Sequence, residues 1–340
     1  MEVIEVLEVR HFLNRFKLVL FVSFFFIAFV PSLLVALYQL PVDSSYITAT
    51  FMEFRATGKV PHFHSGIDFS TFLKEGIPIK AVANGFVRRL EIDLDNIYGN
   101  TVVLEHPDGY RTLYAHLSQF AEKYEKLANM LREEFGAKRI VVEFLADDWK
   151  VSAGEVIGYS GKTGEAAQPH CHFEVRDKEE KNIYDPLDFI DKSLLKPVQM
   201  GIILKSLVID GKEYSYSENA TYEFYGTYPK IAVETYTELA KNLLGIKEIK
   251  VYFSGDLVYH IILDRLPMEY WEKPYSLYDE RSVMTALIYR GYYKLYSDET
   301  LPYVKVNRVK DYNMSSYKVV LEISDAFGNV GKFSFNVQRR

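Results

Sequence analysis

Six of the chain's eight histidines lie between residues 62 and 172, most of them in short clusters. "HFHSGID" offers His62, His64 and Asp68; "LYAHLS" offers His116; "PHCHFE" offers His170 and His172 around Cys171, the only cysteine. Neutral imidazoles and a carboxylate are good ligands for zinc. Two histidines and one aspartate leave a fourth position for water, the arrangement of a catalytic rather than a structural site. Nitrogen and oxygen donors without thiolate would also accept other metals. Histidines near their ordinary pKa can move protons as well. Alone, each piece is weak. An HxH pair on a strand is more often structural, HxxxD arises by chance, and a single histidine is usually packed or solvent-bridged. The signal is their combination, each embedded in strand-forming sequence.

Those residues need elements to position them. "CHFEVR" is rich in strand formers, and side chains on a strand alternate between faces. His170 and His172 therefore point the same way and can share a site, whereas Cys171 faces the opposite side as a small buried apolar residue. "GIPIKAVANGFVRRLEID" reads as strand, turn and strand, and "NTVVLEHPDGYRTLYAHL" as a hairpin around "PDG". "SQFAEKYEKLANMLREEFGAKR" has helical spacing and Gly136 as a stop, which predicts a helix inserted into a β domain. It directly follows the strand bearing His116, so the 119–147 insertion is expected to wall one side of the groove. Past Pro197 come further strand-like runs, as in a β-sandwich. Two segments there, "TYTELAKNLLG" and "SLYDERSVMTALIYRG", read as helices.

Bulk properties narrow the function. The 340 residues suffice for two domains, and 26 Tyr with 23 Phe suit strands. A net charge of −6, with no basic block interleaved with aromatics, argues against nucleic acid as the main partner. A single cysteine excludes a disulfide framework and any Cys-based structural zinc site. Near the N-terminus, Arg10, Arg15 and Lys17 precede the uncharged run "LVLFVSFFFIAFVPSLLVALYQL". This predicts a cytoplasmic segment over 1–17 and a transmembrane anchor or signal peptide over 18–40, with the rest outside the cytoplasm. The run's length favours an uncleaved anchor.

The motifs "HSGIDF", "GIPIKAVANGFV", "YGNTVVLEHPDGYRTLYAHLSQF", "VSAGEVIGYSGKTG" and "PHCHFEVRD…YDPLDFI" together resemble the LytM/lysostaphin-type zinc metallopeptidases of bacterial peptidoglycan. The resemblance covers roughly residues 48–191. It implies a mainly β fold, an antiparallel peptidase domain (46–192) with a metal at the floor of a groove. It also implies one Zn²⁺ per chain held by His64, Asp68 and His172, with His116 and His170 as catalytic non-ligands. His170 is taken as general base and His116 as the group acting on the tetrahedral intermediate. The implied substrate is a peptide of peptidoglycan cross-links or stems, in the bacterial cell envelope. The insertion, "TFMEFR" and the C-terminal "VVLEISDAFGNVGKFSFNV" are similar to a subgroup with an immunoglobulin-like β-sandwich after the peptidase, here 197–340. Cys171 replaces a usual aliphatic residue, "GEAAQPH" a Gly/Ser-rich approach and Lys162 a common Asn; none removes a ligand. His62 is expected to line the groove, and His106 and His260 to be structural. The competing expectation is a non-catalytic envelope module that binds peptidoglycan or regulates another wall hydrolase.

Overall fold

The computed structural model describes residues 38–340 except 57–59, 95, 137–138, 145–146, 148, 199–200 and 286–287. Most of the apolar run predicted over 18–40 therefore lies outside the described residues, as does the 1–17 segment. Its last residues are part of the folded unit: Tyr38 is buried, donates its backbone N–H to Phe189 O and stacks on the Phe189 ring. Among the described residues no helix is long and apolar enough to cross a membrane.

The molecule is mainly β, with one α-helix among the described residues. The first sheet runs Ile47–Ala49, Ile67–Ser70, His170–Asp177, Tyr110–Ala115, Thr101–Glu105, Gly85–Asp93, Arg139–Glu143, with every neighbour antiparallel. His170–Asp177 lies in its middle, and alternation sends Cys171, Phe173 and Val175 into one apolar core with Phe69, Val87, Leu104 and Tyr114. The strand's other face carries the charged and imidazole side chains. Register then decides the site: His172 pairs with Asp68 on one side and Ala115 on the other. Directly opposed residues of antiparallel strands share a face, so Asp68 and His172 must meet.

The inserted helix spans Glu122–Phe135 and ends at Gly136, whose φ of 56° is left-handed and whose N–H bonds Arg132 O. It packs through Tyr124 and Ala128, with the Tyr124 ring against Trp149. The insertion then supplies the edge strand Arg139–Glu143.

The two segments read as helices beyond 197 contain no α-helix among the described residues. Residues 235–245 continue the strand Ile231–Leu239, turn at Ala240 and Lys241 (φ 49° and 72°) and return as Asn242–Leu244. Thr235, Thr237 and Leu239 are buried and alternate with half-buried Tyr236 and Glu238, a period of two that leucine spacing had masked. The described residues of 276–285 and 288–291 form turns and the short pair Val283–Met284 and Tyr289–Arg290.

Two further sheets share one core. Ile203–Ile209 and Ile231–Leu239 supply Leu207, Ile209 and Val233; Glu248–Phe253, Ser316–Ser324 and Val330–Arg339 supply Val251, Leu321 and Phe335. That core crosses the boundary expected near Pro197, because it also takes in Phe51, Met52, Phe54, Phe63 and Ile183. Asn182–Tyr184 likewise pairs with Arg265–Pro267. The described residues form one compact unit.

Candidate metal centre

The five site histidines and aspartates expected from sequence come together at one place. His64 follows the short strand His62–Phe63, Asp68 sits on Ile67–Ser70, and His172 on the central strand. Gly66 is required between the first two, because a Cβ there would lie 2.3 Å from Phe173 O. His64 Nε2 is 3.1 Å from Asp68 Oδ1 and 3.1 Å from His172 Nδ1, and His172 Nδ1 is 2.9 Å from Asp68 Oδ1. A tetrahedral ion with bonds of ~2.0–2.1 Å separates its ligand atoms by about 3.3 Å, so the three atoms nearly outline one face of such a shell.

The other ring nitrogens show which atoms carry protons. His64 Nδ1–H donates to Thr50 O at 2.7 Å, and His172 Nε2–H donates to Glu174 Oε1 at 2.9 Å. In the neutral rings this leaves two lone pairs and a carboxylate oxygen facing one another, an arrangement that calls for a cation between them. Side-chain electrostatics agree. Burial opposes charge on His172, yet Asp68 and Glu174 raise its pKa to about 9. Burial also opposes the Asp68 carboxylate, but the surrounding histidines hold its pKa well below the usual range. Burial and Arg55 lower that of His64. The donor set fits a divalent ion, and His64, Asp68 and His172 are the residues that would hold it.

Glu174, fully buried, is one functional residue that sequence reading did not select. Its carboxylate also takes the Ser65 hydroxyl at 2.6 Å and Arg176 Nε at 2.6 Å. Its position two residues beyond His172, on the same strand face, was the available signal. Thr50 O had none, because a backbone carbonyl leaves no mark in sequence.

His116 and His170 border the cluster without joining it. Their ring centroids lie 4.8 Å apart, and His170 Nε2 is 3.5 Å from Asp68 Oδ1. His116 directly follows the strand Tyr110–Ala115 at φ 59°, left-handed for a non-glycine residue, with its N–H on Tyr98 O. His116 Nδ1–H donates to Thr163 O at 2.9 Å and His170 Nδ1–H to Gln168 O at 2.8 Å, so both present Nε2. Burial, then the neighbouring His170 and His172, push the pKa of His116 well below its usual value.

The remaining candidates sort as expected. Cys171 is buried in the apolar core on the opposite face, and burial pushes its thiol pKa up. His62 lines the groove against the Trp271 ring at 4.9 Å. His106 bridges Asn84 O and Thr112, and His260 pairs with Glu248.

A groove of about 580 Å³ opens over these residues. One correction concerns its walls. No described residue of the 119–147 insertion lines it; the helix lies against Trp149 instead. Glu165, Gln168 and Tyr98 form part of the lining, and the rest includes Lys241–Leu243 and Met284, Thr285, Ile288 and Tyr289 from beyond residue 197.

Residues 62–129 match the family model described as Peptidase family M23. The chain is 33% identical over 113 residues to the DD-carboxypeptidase/endopeptidase Mpg of Neisseria meningitidis, covering 33% of this chain and 20% of that protein. It is 31% identical over 131 residues to lysostaphin of Staphylococcus simulans, covering 37% and 21% respectively. It is 32% identical over 140 residues to the peptidoglycan DD-endopeptidase ShyB of Vibrio cholerae, covering 40% and 26%. The chain thus spans a fifth to about a quarter of the length of these curated relatives. With this match laid over the His64, Asp68 and His116 positions, the chain carries a peptidase family M23 domain.

Proposed function

We propose that the chain is a zinc-dependent endopeptidase that hydrolyses peptide bonds in peptidoglycan cross-links or stems, outside the cytoplasm. The observation that carries this is the convergence of His64 Nε2, Asp68 Oδ1 and His172 Nδ1 beneath an open groove, flanked by two further histidines. When bound, zinc supplies a Lewis acid for the scissile carbonyl and lowers the pKa of an attacking water. The residues of the chain do the rest. His64, Asp68 and His172 hold the ion. His116 Nε2, kept neutral by burial, accepts the water's proton. His170, whose Nε2 lies 3.5 Å from Asp68 Oδ1, donates from Nε2 to the oxyanion or the leaving amine. This reading reverses the order of roles expected from the strand alone.

The two sheets after residue 197 are, in this reading, the immunoglobulin-like sandwich, and the 18–40 run anchors or exports the chain. The test is digestion of purified sacculi by the full chain with and without chelator. Chelator-sensitive release of peptides, with new termini identified by mass spectrometry, is expected. A metal-loaded chain that binds sacculi and releases nothing would instead support a non-catalytic wall-binding module.

A further inference from the structure

His64 depends on a strained turn that the second half of the molecule holds. Thr50 O accepts the Nδ1–H of His64, so the 50–53 turn sets the angle of that ring. Within the turn Met52 is fully buried at φ 59°, a left-handed conformation rare for a methionine. Such a residue persists only where its surroundings over-determine it. From the same segment, Met52 N–H bonds His64 O and His64 N–H bonds Glu53 O, both at 2.8 Å.

From the other side, Tyr278 OH donates to Met52 O at 3.0 Å, and Gly245 N–H donates to Glu53 Oε1 at 3.0 Å. Glu53 Oε1 also accepts the Thr50 N–H at 2.6 Å and its hydroxyl at 2.7 Å. Its second oxygen takes Arg55 Nη1 at 3.0 Å, and Arg55 Nη2 lies 3.8 Å from Asp68 Oδ2. Glu53 and Arg55 are both buried, so these are charge-assisted bonds in a low-dielectric setting. Residue 245 must be glycine: a Cβ would stand 2.9 Å from Glu53 Cγ and 3.0 Å from Tyr293 Oη. Two of the three proposed ligands are therefore tied to Glu53, His64 through Thr50 and Asp68 through Arg55.

We propose that the two sheets after residue 197 are a structural arm of the metal centre, clamping the 50–53 turn through Gly245 and Tyr278, with Glu53 as the positioning residue for His64 and Asp68. The proposal rests on the metal reading given above. A groove whose wall already comes partly from Lys241, Asn242, Leu243, Met284, Thr285, Ile288 and Tyr289 then has its floor held from the same side.

The test measures zinc affinity of the full chain by competition with a chromophoric chelator, together with the visible spectrum of the cobalt-substituted protein. Glu53→Gln and Tyr278→Phe are expected to weaken zinc about 10–100-fold, as loss of outer-shell partners does, and to shift the cobalt bands. Val319→Ala, which opens the shared core without removing any hydrogen bond of the clamp, is expected to lower the melting temperature of the metal-free protein and leave zinc affinity unchanged. Should Glu53→Gln not fold, Tyr278→Phe decides. Wild-type affinity and spectrum in folded Tyr278→Phe, or an equal loss in Val319→Ala, would overturn the clamp while leaving the metal site standing. A wild-type chain that binds no zinc would overturn the metal reading and the clamp together.

Discussion

Asp68 and His172 face each other across two hydrogen-bonded strands, and every other feature of the centre follows from which of their atoms is already committed. Replacing His64, Asp68 or His172 by alanine would remove a proposed ligand, so metal content and activity should fall together. His116→Ala and His170→Ala should keep the metal and lose roughly 10²–10⁴-fold in turnover, the range of acid–base help. Metal analysis of each variant separates the two classes. Acidity gives an independent prediction. His172 must lose its Nδ1 proton to bind an ion, and its pKa is raised to about 9. Zinc affinity should therefore rise about tenfold per pH unit through the neutral range and flatten near that pKa. A flat profile between pH 6 and 8 would show that no such proton is displaced. Strand alternation alone set His170 and His172 apart from Cys171, whereas the proposed ligand set of His64, Asp68 and His172 was legible only through the family resemblance. Glu174, Thr50 and Glu53 were not legible, since their roles depend on register and on a turn closed by distant chain.

At the scale of elements, the hairpin tip at Ala240 and Lys241 places two non-glycine residues in the left-handed region beside the groove. Replacing them with Asn-Gly, the pair such turns favour, should raise stability by about 0.5–1 kcal/mol while altering the product profile. Melting curves and digestion of several peptidoglycan types check the two halves of this statement. Replacing the Glu122–Phe135 helix by a tight turn should cost stability and leave the product profile unchanged, because no described residue of the insertion lines the groove. The helix itself was readable from its spacing and its glycine stop. Its position was not, because periodicity reports which face is apolar and not what that face meets. Residues 235–245 failed in the opposite way: good helix formers were overridden by pairing with neighbouring strands.

Across the whole molecule, charge is spent on one face of the first sheet. Arg89, Arg111 and Arg176 converge on Glu180, and Arg88 and Arg111 on Glu105. Burial alone would raise both carboxyl pKa values, but the arginines lower each from 4.5 to about 2. A depressed folded pKa means that this stabilisation is complete above about 4.5 and is lost as pH falls from there towards 2. Acid titration of the melting temperature should show that loss, and Glu180→Gln should diminish it. The ladder ends at Arg176, which holds Glu174, which holds His172, so acid unfolding and loss of the proposed metal are expected to share a route. Everything proposed for the molecule depends on the metal centre. Anomalous scattering at the zinc edge from crystals of the full chain tests it most directly. A single strong peak is expected within about 2.0–2.2 Å of His64 Nε2, an Asp68 carboxylate oxygen and His172 Nδ1. Zinc bound at any other residues, or no peak in a zinc-soaked crystal, would contradict it.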